Sequence, residues 1–195
     1  MSDTLLEIKD LKVYFPIRSK NLFGGVTKHV KAVDGVSFHI EKGETLGLVG
    51  ESGSGKTTVG RSILRAIEPT DGKVTFNVEG EAFDLSQIPD KEMRVFRKHM
   101  QLIFQDPYSS LNPRMTVRDI IAEPLVAQKL AKGKDVDKRV QEAAALCKLN
   151  LEYLRRFPHA FSGGQRQRIG IARALVSRPQ FIVCDESVSA LDVSI

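Results

Sequence analysis

Apolar and polar side chains alternate from residue 5 to residue 15, the period of a strand with one buried face, and the polar, glycine-containing stretch 16–31 after it reads as a loop. Short strands are predicted at 36–40 and 45–49, joined by the turn Glu41-Lys42-Gly43-Glu44. Residues 57–66 carry helical spacing, and Pro69-Thr70-Asp71-Gly72 turns the chain into another strand at 73–78. A charged helix at 91–98 precedes a short apolar strand at 100–104. From 106 to 161 the helical period takes over, with Val136, Val140, Ala143, Ala144 and Cys147 on one face. A helix at 165–176 turns Ile169, Ala172 and Val176 to its apolar side, and 180–185 is an apolar strand running into two carboxylates. Strands dispersed among helices predict an α/β domain with a largely parallel core sheet and a helical insertion at about 106–161.

The chain has 195 residues, 42% hydrophobic and 27% charged, which suits one domain with a substantial core. Its net charge of +5 and pI near 9.2 would fit nucleic acid or an anionic membrane surface. Against that, 29 basic residues are interspersed with 24 acidic ones and no long basic run occurs, so no nucleic-acid partner is expected. Cys147 and Cys184 lie far apart, indicate neither a disulfide framework nor a CxxC metal site, and read as two reduced thiols packed in a core. Residues 1–10 include Asp3, Glu7 and Asp10 and no long apolar stretch, so no signal peptide is predicted and a cytoplasmic protein is expected. Runs of about 18 uncharged apolar residues are absent from the sequence, so any role in transport would need separate membrane subunits.

Chemistry enters with Gly50-Glu51-Ser52-Gly53-Ser54-Gly55-Lys56-Thr57, which fits G-x-x-x-x-G-K-[ST] between a predicted strand and a predicted helix. Glycines let such a loop curl until successive backbone N–H groups point at phosphate oxygens, and the helix N-terminus adds partial positive charge. Lys56 would reach the β- and γ-phosphates of ATP, the Thr57 hydroxyl would take a Mg²⁺ position, and Thr58 extends the phosphate-binding turn. A glycine-rich turn that merely caps a helix would explain neither Lys56 nor Thr57. The strand 181–184 ends in Asp185 and Glu186. Beside a phosphate loop, Asp185 is placed to partner Mg²⁺, directly or through water, and Glu186 to polarise the water that attacks the γ-phosphate. Ser162-Gly163-Gly164-Gln165 offers a hydroxyl and unobstructed amides at a second helix start; alone it would read as an ordinary serine cap.

Taken together, Phe161-Ser162-Gly163-Gly164-Gln165 and the acids at 185 and 186, 20 residues after the glutamine, resemble the signature and Walker B motifs of the ATP-binding-cassette (ABC) ATPases. The resemblance covers nearly all of the chain. It implies a P-loop NTPase fold with a mainly parallel core sheet, an N-terminal antiparallel β region and an inserted helical subdomain at about 106–178, all within one ATPase domain spanning 1–195. Gln105, in Ile103-Phe104-Gln105-Asp106-Pro107, is similar to the family's Q-loop glutamine, which contacts Mg²⁺ and water. Ser189-Ala190-Leu191-Asp192 resembles the D-loop, which faces a partner subunit. Phe15 stands where the family stacks an aromatic ring on adenine, with Tyr14 as the alternative. A finer likeness is to the ATPases of oligopeptide and dipeptide importers, carried by Phe104-Gln105-Asp106-Pro107, Ser110-Leu111-Asn112-Pro113-Arg114, Glu123-Pro124-Leu125 and Ala32-Val33-Asp34-Gly35-Val36.

By that resemblance two ATPase subunits, alike or different, pair head to tail. Each ATP would lie between the phosphate loop of one and Ser162, Gly163, Gly164 and Gln165 of the other. Transmembrane permeases would dock on the helical subdomain at the cytoplasmic face of the inner membrane, served indirectly by an extracytoplasmic peptide-binding protein. A soluble ABC protein acting on DNA or ribosomes would call for a coiled-coil or zinc insertion or a second cassette; a P-loop kinase or nucleotide-binding regulator would lack the signature. Two positions depart from the family pattern. Ser187 replaces a proline, and His29, His39, His99 and His159 all precede the Walker B acids, after which the family's switch histidine is expected. The order of strands in the family further implies an interior strand beyond Ile195. On that basis the 195-residue polypeptide alone is expected to be aggregation-prone or partly folded, with negligible hydrolysis.

Overall fold

The structure, a computed structural model, describes residues 3–18, 26–106, 108 and 110–185. The chain divides into two compact units, residues 1–93 and 94–195.

In the first unit, β1 (Thr4–Arg18), β2 (Val26–Glu41), β3 (Asp71–Val78) and β4 (Glu81–Asp84) form an antiparallel sheet in the order β2-β1-β3-β4. Helix α1 (Lys56–Ile63) lies between β2 and β3 in sequence, and α2 (Asp90–Phe96) spans the boundary between units. The inner face of β1 buries Leu6 and Ile8 and then, one residue out of phase, Leu11 and Val13. A bulge makes the change of phase: the pairing shifts between Ile8 and Leu11, and Asp10 holds φ 49°. Strict alternation would have driven Asp10 and Lys12 into the core instead. Phe76 and Val74 of β3 complete that layer with no exposed surface.

Three expectations are corrected here. Residues 16–31 are not one loop: Phe15 pairs with Val30, Pro16 with His29 and Ile17 with Lys28, so the two strands run on well beyond the predicted ends. Pro16 is tolerated because β3 pairs β1 only as far as Lys12, which leaves an edge where a missing N–H breaks no ladder. Residues 45–49 form no strand; Leu46, Leu48 and Val49 are 43%, 45% and 94% exposed. Alternation supplies only a face, and a ladder needs a neighbour, which these residues lack among the described ones. Strand β4, finally, was not anticipated. Glu79 and Gly80 both take positive φ, 53° and 92°, the two-residue turn that suits the twist of a hairpin. The X-Gly pair was its signal.

The second unit holds the parallel pair β5 (Met100–Ile103) and β6 (Phe181–Cys184). With them stand α3 (Val117–Ala127), α4 (Lys134–Leu146), α5 (Gly163–Leu175) and short 3-10 turns at Leu151–Arg155 and Pro158–Ala160. One core joins the helices. Ile120, Ile121 and Leu125 of α3 meet Val136, Val140 and Ala144 of α4 and Ile169 and Ala172 of α5. The face predicted for 136–147 is the buried one, with Cys147 partly covered at its end and its thiol pKa pushed up by burial. Cys184, expected in a core, is exposed at the end of β6. The α/β class is met by the antiparallel N-terminal sheet, the helices and the parallel pair. Among the described residues, no helix is long and apolar enough to cross a membrane.

Candidate functional site

The loop 50–55 curls because three glycines permit it. Gly53 and Gly55 hold φ of 80° and 92°, which L side chains rarely adopt, and a Cβ on Gly55 would stand 2.3 Å from the carbonyl oxygen of Ala32. A Cβ on Gly50 would stand 2.7 Å from Ser54 Oγ. Gly55 is the N-cap of α1, with no side-chain cap and no acid in the first turn. A helix start with a glycine cap and no acid in its first turn presents backbone amides with partial positive charge, the condition for taking an anion. Lys56 folds back over the loop and donates to the carbonyls of Gly50 at 2.8 Å and Glu51 at 2.7 Å. Its ammonium thus sits on the loop's own rim. Glu51, Ser52 and Ser54 are exposed, and Thr57 and Thr58 lie half-buried in the first turn of α1.

In the same unit Phe15 and Tyr14 separate. The Tyr14 hydroxyl donates to Asp34, its backbone N–H donates to Thr70 Oγ1 at 2.8 Å, and Lys31 sits 5.3 Å above its ring. That hydrogen bond to Asp34 raises the phenol pKa and, with Lys31, lowers that of Asp34. Tyr14 is committed to this network. Phe15 points the other way on the strand, 41% exposed, and is the ring open to stacking.

In the second unit β5 and β6 run parallel with Ile103 opposite Cys184. Phe104, Gln105 and Asp106 leave one carboxyl end, and Asp185 leaves the other, where its N–H donates to the Ile103 carbonyl at 3.1 Å. Ligands of open α/β sheets bind at the carboxyl ends of parallel strands, so Gln105 and Asp185 share the right edge. Gln105 is exposed and Asp185 is 8% exposed.

Helix α5 begins at the signature. Ser162 is its N-cap: Ser162 Oγ accepts from Gln165 N at 3.4 Å, and Gln165 Oε1 accepts from Ser162 N at 3.0 Å, a reciprocal capping box. Gly163 and Gly164 are half-buried. Arg166 donates through Nε to the Phe161 carbonyl at 3.0 Å and lies 4.2 Å from the centre of the Tyr108 ring. Neither Arg166 nor Tyr108 was singled out in the sequence, because only the tertiary contact marks them.

The groups the sequence suggests for Mg²⁺, the Thr57 hydroxyl in the first unit and the Gln105 amide oxygen and Asp185 carboxylate in the second, are each hard oxygen donors of the kind that ion prefers. Among the described residues no group of three His, Cys, Asp or Glu could hold a metal. That is compatible with an ion which takes most of its ligands from phosphate and water. Glu186, Ser187, the segment 189–191 and Asp192 lie outside the described residues.

Residues 33–189 match the family described as ABC transporter. The chain is 57% identical over 198 residues to the oligopeptide transport ATP-binding protein OppF of Bacillus subtilis (strain 168), covering 100% of this chain and 61% of that protein. To AppF of the same organism, also an oligopeptide transport ATP-binding protein, it is 50% identical, covering 99% and 57%. The chain thus spans less than two thirds of the length of these relatives. A solved dimer of the ATP-binding cassette MJ0796, in a post-hydrolysis state bound to ADP and Pi, superposes with a TM-score of 0.82 at 26% identity, over 97% of this chain and 77% of that one.

Proposed function

Since this chain belongs to the ABC transporter family, we propose that it is the ATP-binding and hydrolysing part of a subunit that powers import of oligopeptides or dipeptides through separate permeases. The observation that carries this reading is the uncapped start of α1 beneath Lys56, an anion site whose cation is already in place. In this proposal Gly50, Glu51, Ser52, Gly53, Ser54, Gly55, Lys56, Thr57 and Thr58 wrap the triphosphate, and Lys56 exchanges its two carbonyl partners for β- and γ-phosphate oxygens. Phe15 stacks on adenine. Thr57, Gln105 and Asp185 hold Mg²⁺, which would neutralise charge on the phosphates. Glu186 orients the attacking water, with Gln105 as a second contact to it.

The solved cassette dimers support pairing with a second ATPase subunit. Ser162, Gly163, Gly164 and Gln165 would then close on the partner's ATP, with Asp192 at the interface. The helical subdomain at about 106–178 would present the docking surface for the permeases at the cytoplasmic face of the inner membrane, and a peptide-binding protein outside would deliver the cargo. The names of the relatives support peptides as that cargo. Titration calorimetry with MgATP tests the reading at its base. Lys56→Ala is expected to weaken binding by about tenfold or more, the scale of a lost charge-assisted contact. Equal affinity in the variant would overturn the assignment.

A further inference from the structure

Helix α5 grips the segment carrying Gln105 at both of its ends. Arg173, half-buried in the last turn of α5, donates through Nη1 to the carbonyl of Ser110 at 2.7 Å. Its guanidinium also lies 5.7 Å from the centre of the Phe104 ring. Phe104 immediately precedes Gln105, and Ser110 closes the segment behind it. From the first turn of the same helix, Arg166 stacks on Tyr108 between those two points. The segment is braced within itself: Asp106 Oδ1 accepts from Tyr108 N at 2.8 Å, and the Asp106 carbonyl accepts from Ser110 N at 3.3 Å. Among its described residues the segment is thus tied to itself and held by two arginines.

Withdrawing a guanidinium from water is costly unless it is hydrogen-bonded or stacked. Burial lowers the pKa of Arg173 from the usual arginine value, and the charge of Glu123 opposes that fall. A methionine could fill similar space beside the core of α5 without this cost, so the forked donor and planar face of the arginine, rather than its bulk, are what the loop receives.

We propose that Arg173 is a positioning residue for Gln105, with Arg166 as a second hold, so that helix α5, which opens with Ser162 to Gln165, sets where the Gln105 segment stands. This rests on the function proposed above. A shift of the phosphate-binding end of α5 then reaches Gln105 through side chains of one rigid element.

The chain contains no tryptophan, so Tyr108→Trp places a single fluorophore on the segment. In that background Arg173→Met and Arg173→Lys are compared by acrylamide quenching of this chain without nucleotide and, in versions extended to the length of the relatives, by the magnesium concentration that half-saturates ATP turnover. Arg173→Met is expected to raise quenching severalfold and the magnesium requirement about tenfold, with the affinity for ATP little changed. Arg173→Lys should fall between, since an ammonium can donate to Ser110 but offers no planar face. Should Arg173→Met fail to fold, Arg166→Met and Phe104→Leu make the same comparison. Unchanged quenching in the folded variants, or a released segment with an unaltered magnesium requirement, would overturn the proposal. A parent chain that bound no MgATP would overturn the underlying function instead.

Discussion

Gly53 and Gly55 share a left-handed backbone, yet they answer to different constraints. Nothing lies within 4 Å of a Cβ built on Gly53, whereas one on Gly55 would meet the Ala32 carbonyl at 2.3 Å. Gly53→Ala therefore incurs only the conformational cost of about 1–2 kcal/mol. Gly55→Ala incurs that cost and must also push β2 away from the start of α1. Thermal unfolding should show the larger loss for Gly55→Ala, and MgATP titration should show a loss of affinity beyond that of Gly53→Ala. Equal melting temperatures in the two variants would mean that the Ala32 contact does not govern the loop. The motif pattern in the sequence requires a glycine at 55 and leaves 53 open, but gives no reason for the difference. Only the approach of Ala32, 23 residues away in the chain, distinguishes them.

Helix α3 shows how an element is started and how that start depends on pH. Thr116 is the N-cap: its Oγ1 accepts from Asp119 N at 3.2 Å and donates to Asp119 Oδ2 at 2.6 Å. Arg118 Nη1 donates to Asp119 Oδ1 at 3.0 Å. The Thr116 hydroxyl first, and Arg118 after it, lower the Asp119 pKa. A carboxyl with a depressed folded-state pKa contributes stability above its unfolded pKa and loses that contribution as pH falls through the folded value. Asp119→Asn should thus lower stability at neutral pH by less than about 1 kcal/mol, because the group is partly exposed, and with it the melting temperature. The difference from the parent should shrink once pH falls below about 4. A gap that stays constant down to strongly acid pH would count against the ionised cap. The sequence placed α3 only within a mainly helical stretch, 106–161. Its cap was not singled out, though Thr-x-x-Asp is a readable signal. Residues 26–31 were misread for the opposite reason: their strand character depends on partners in β1 that no local pattern names.

For the whole molecule, the in-trans arrangement separates cleanly from a single-chain site. In a heterodimer of Lys56→Ala with Ser162→Arg, composite sites built across two subunits leave one site with both halves intact, while sites built within each subunit leave none. In versions extended to the length of the relatives, an equimolar mixture of the two purified variants should therefore restore ATP turnover that neither shows alone, to about a quarter of the parental level if pairing is random and the sites act independently. Mixtures as silent as either variant would exclude composite sites. The second unit also shows where the order of residues stops being informative. Arg173 reads as one of many basic residues on an amphipathic helix, and its contact with Ser110 spans 63 positions.

Residue order alone determined the chemistry that local spacing can encode: the phosphate loop before a helix, the signature serine at a helix start, the apolar faces of α4 and α5, and the carboxylate of Asp185 at the end of β6. These patterns repeat over a few residues, within the reach of one turn or one strand, so they survive being read in one dimension. The fold decided the rest. It joined β1 to β2 beyond Pro16, committed Tyr14 to Asp34 and left Phe15 exposed, and set two arginines of α5 against the Gln105 segment. Each of these is a pairing between residues distant in sequence. Its energy comes from hydrogen bonds and burial that exist only once the partner strand or helix has arrived.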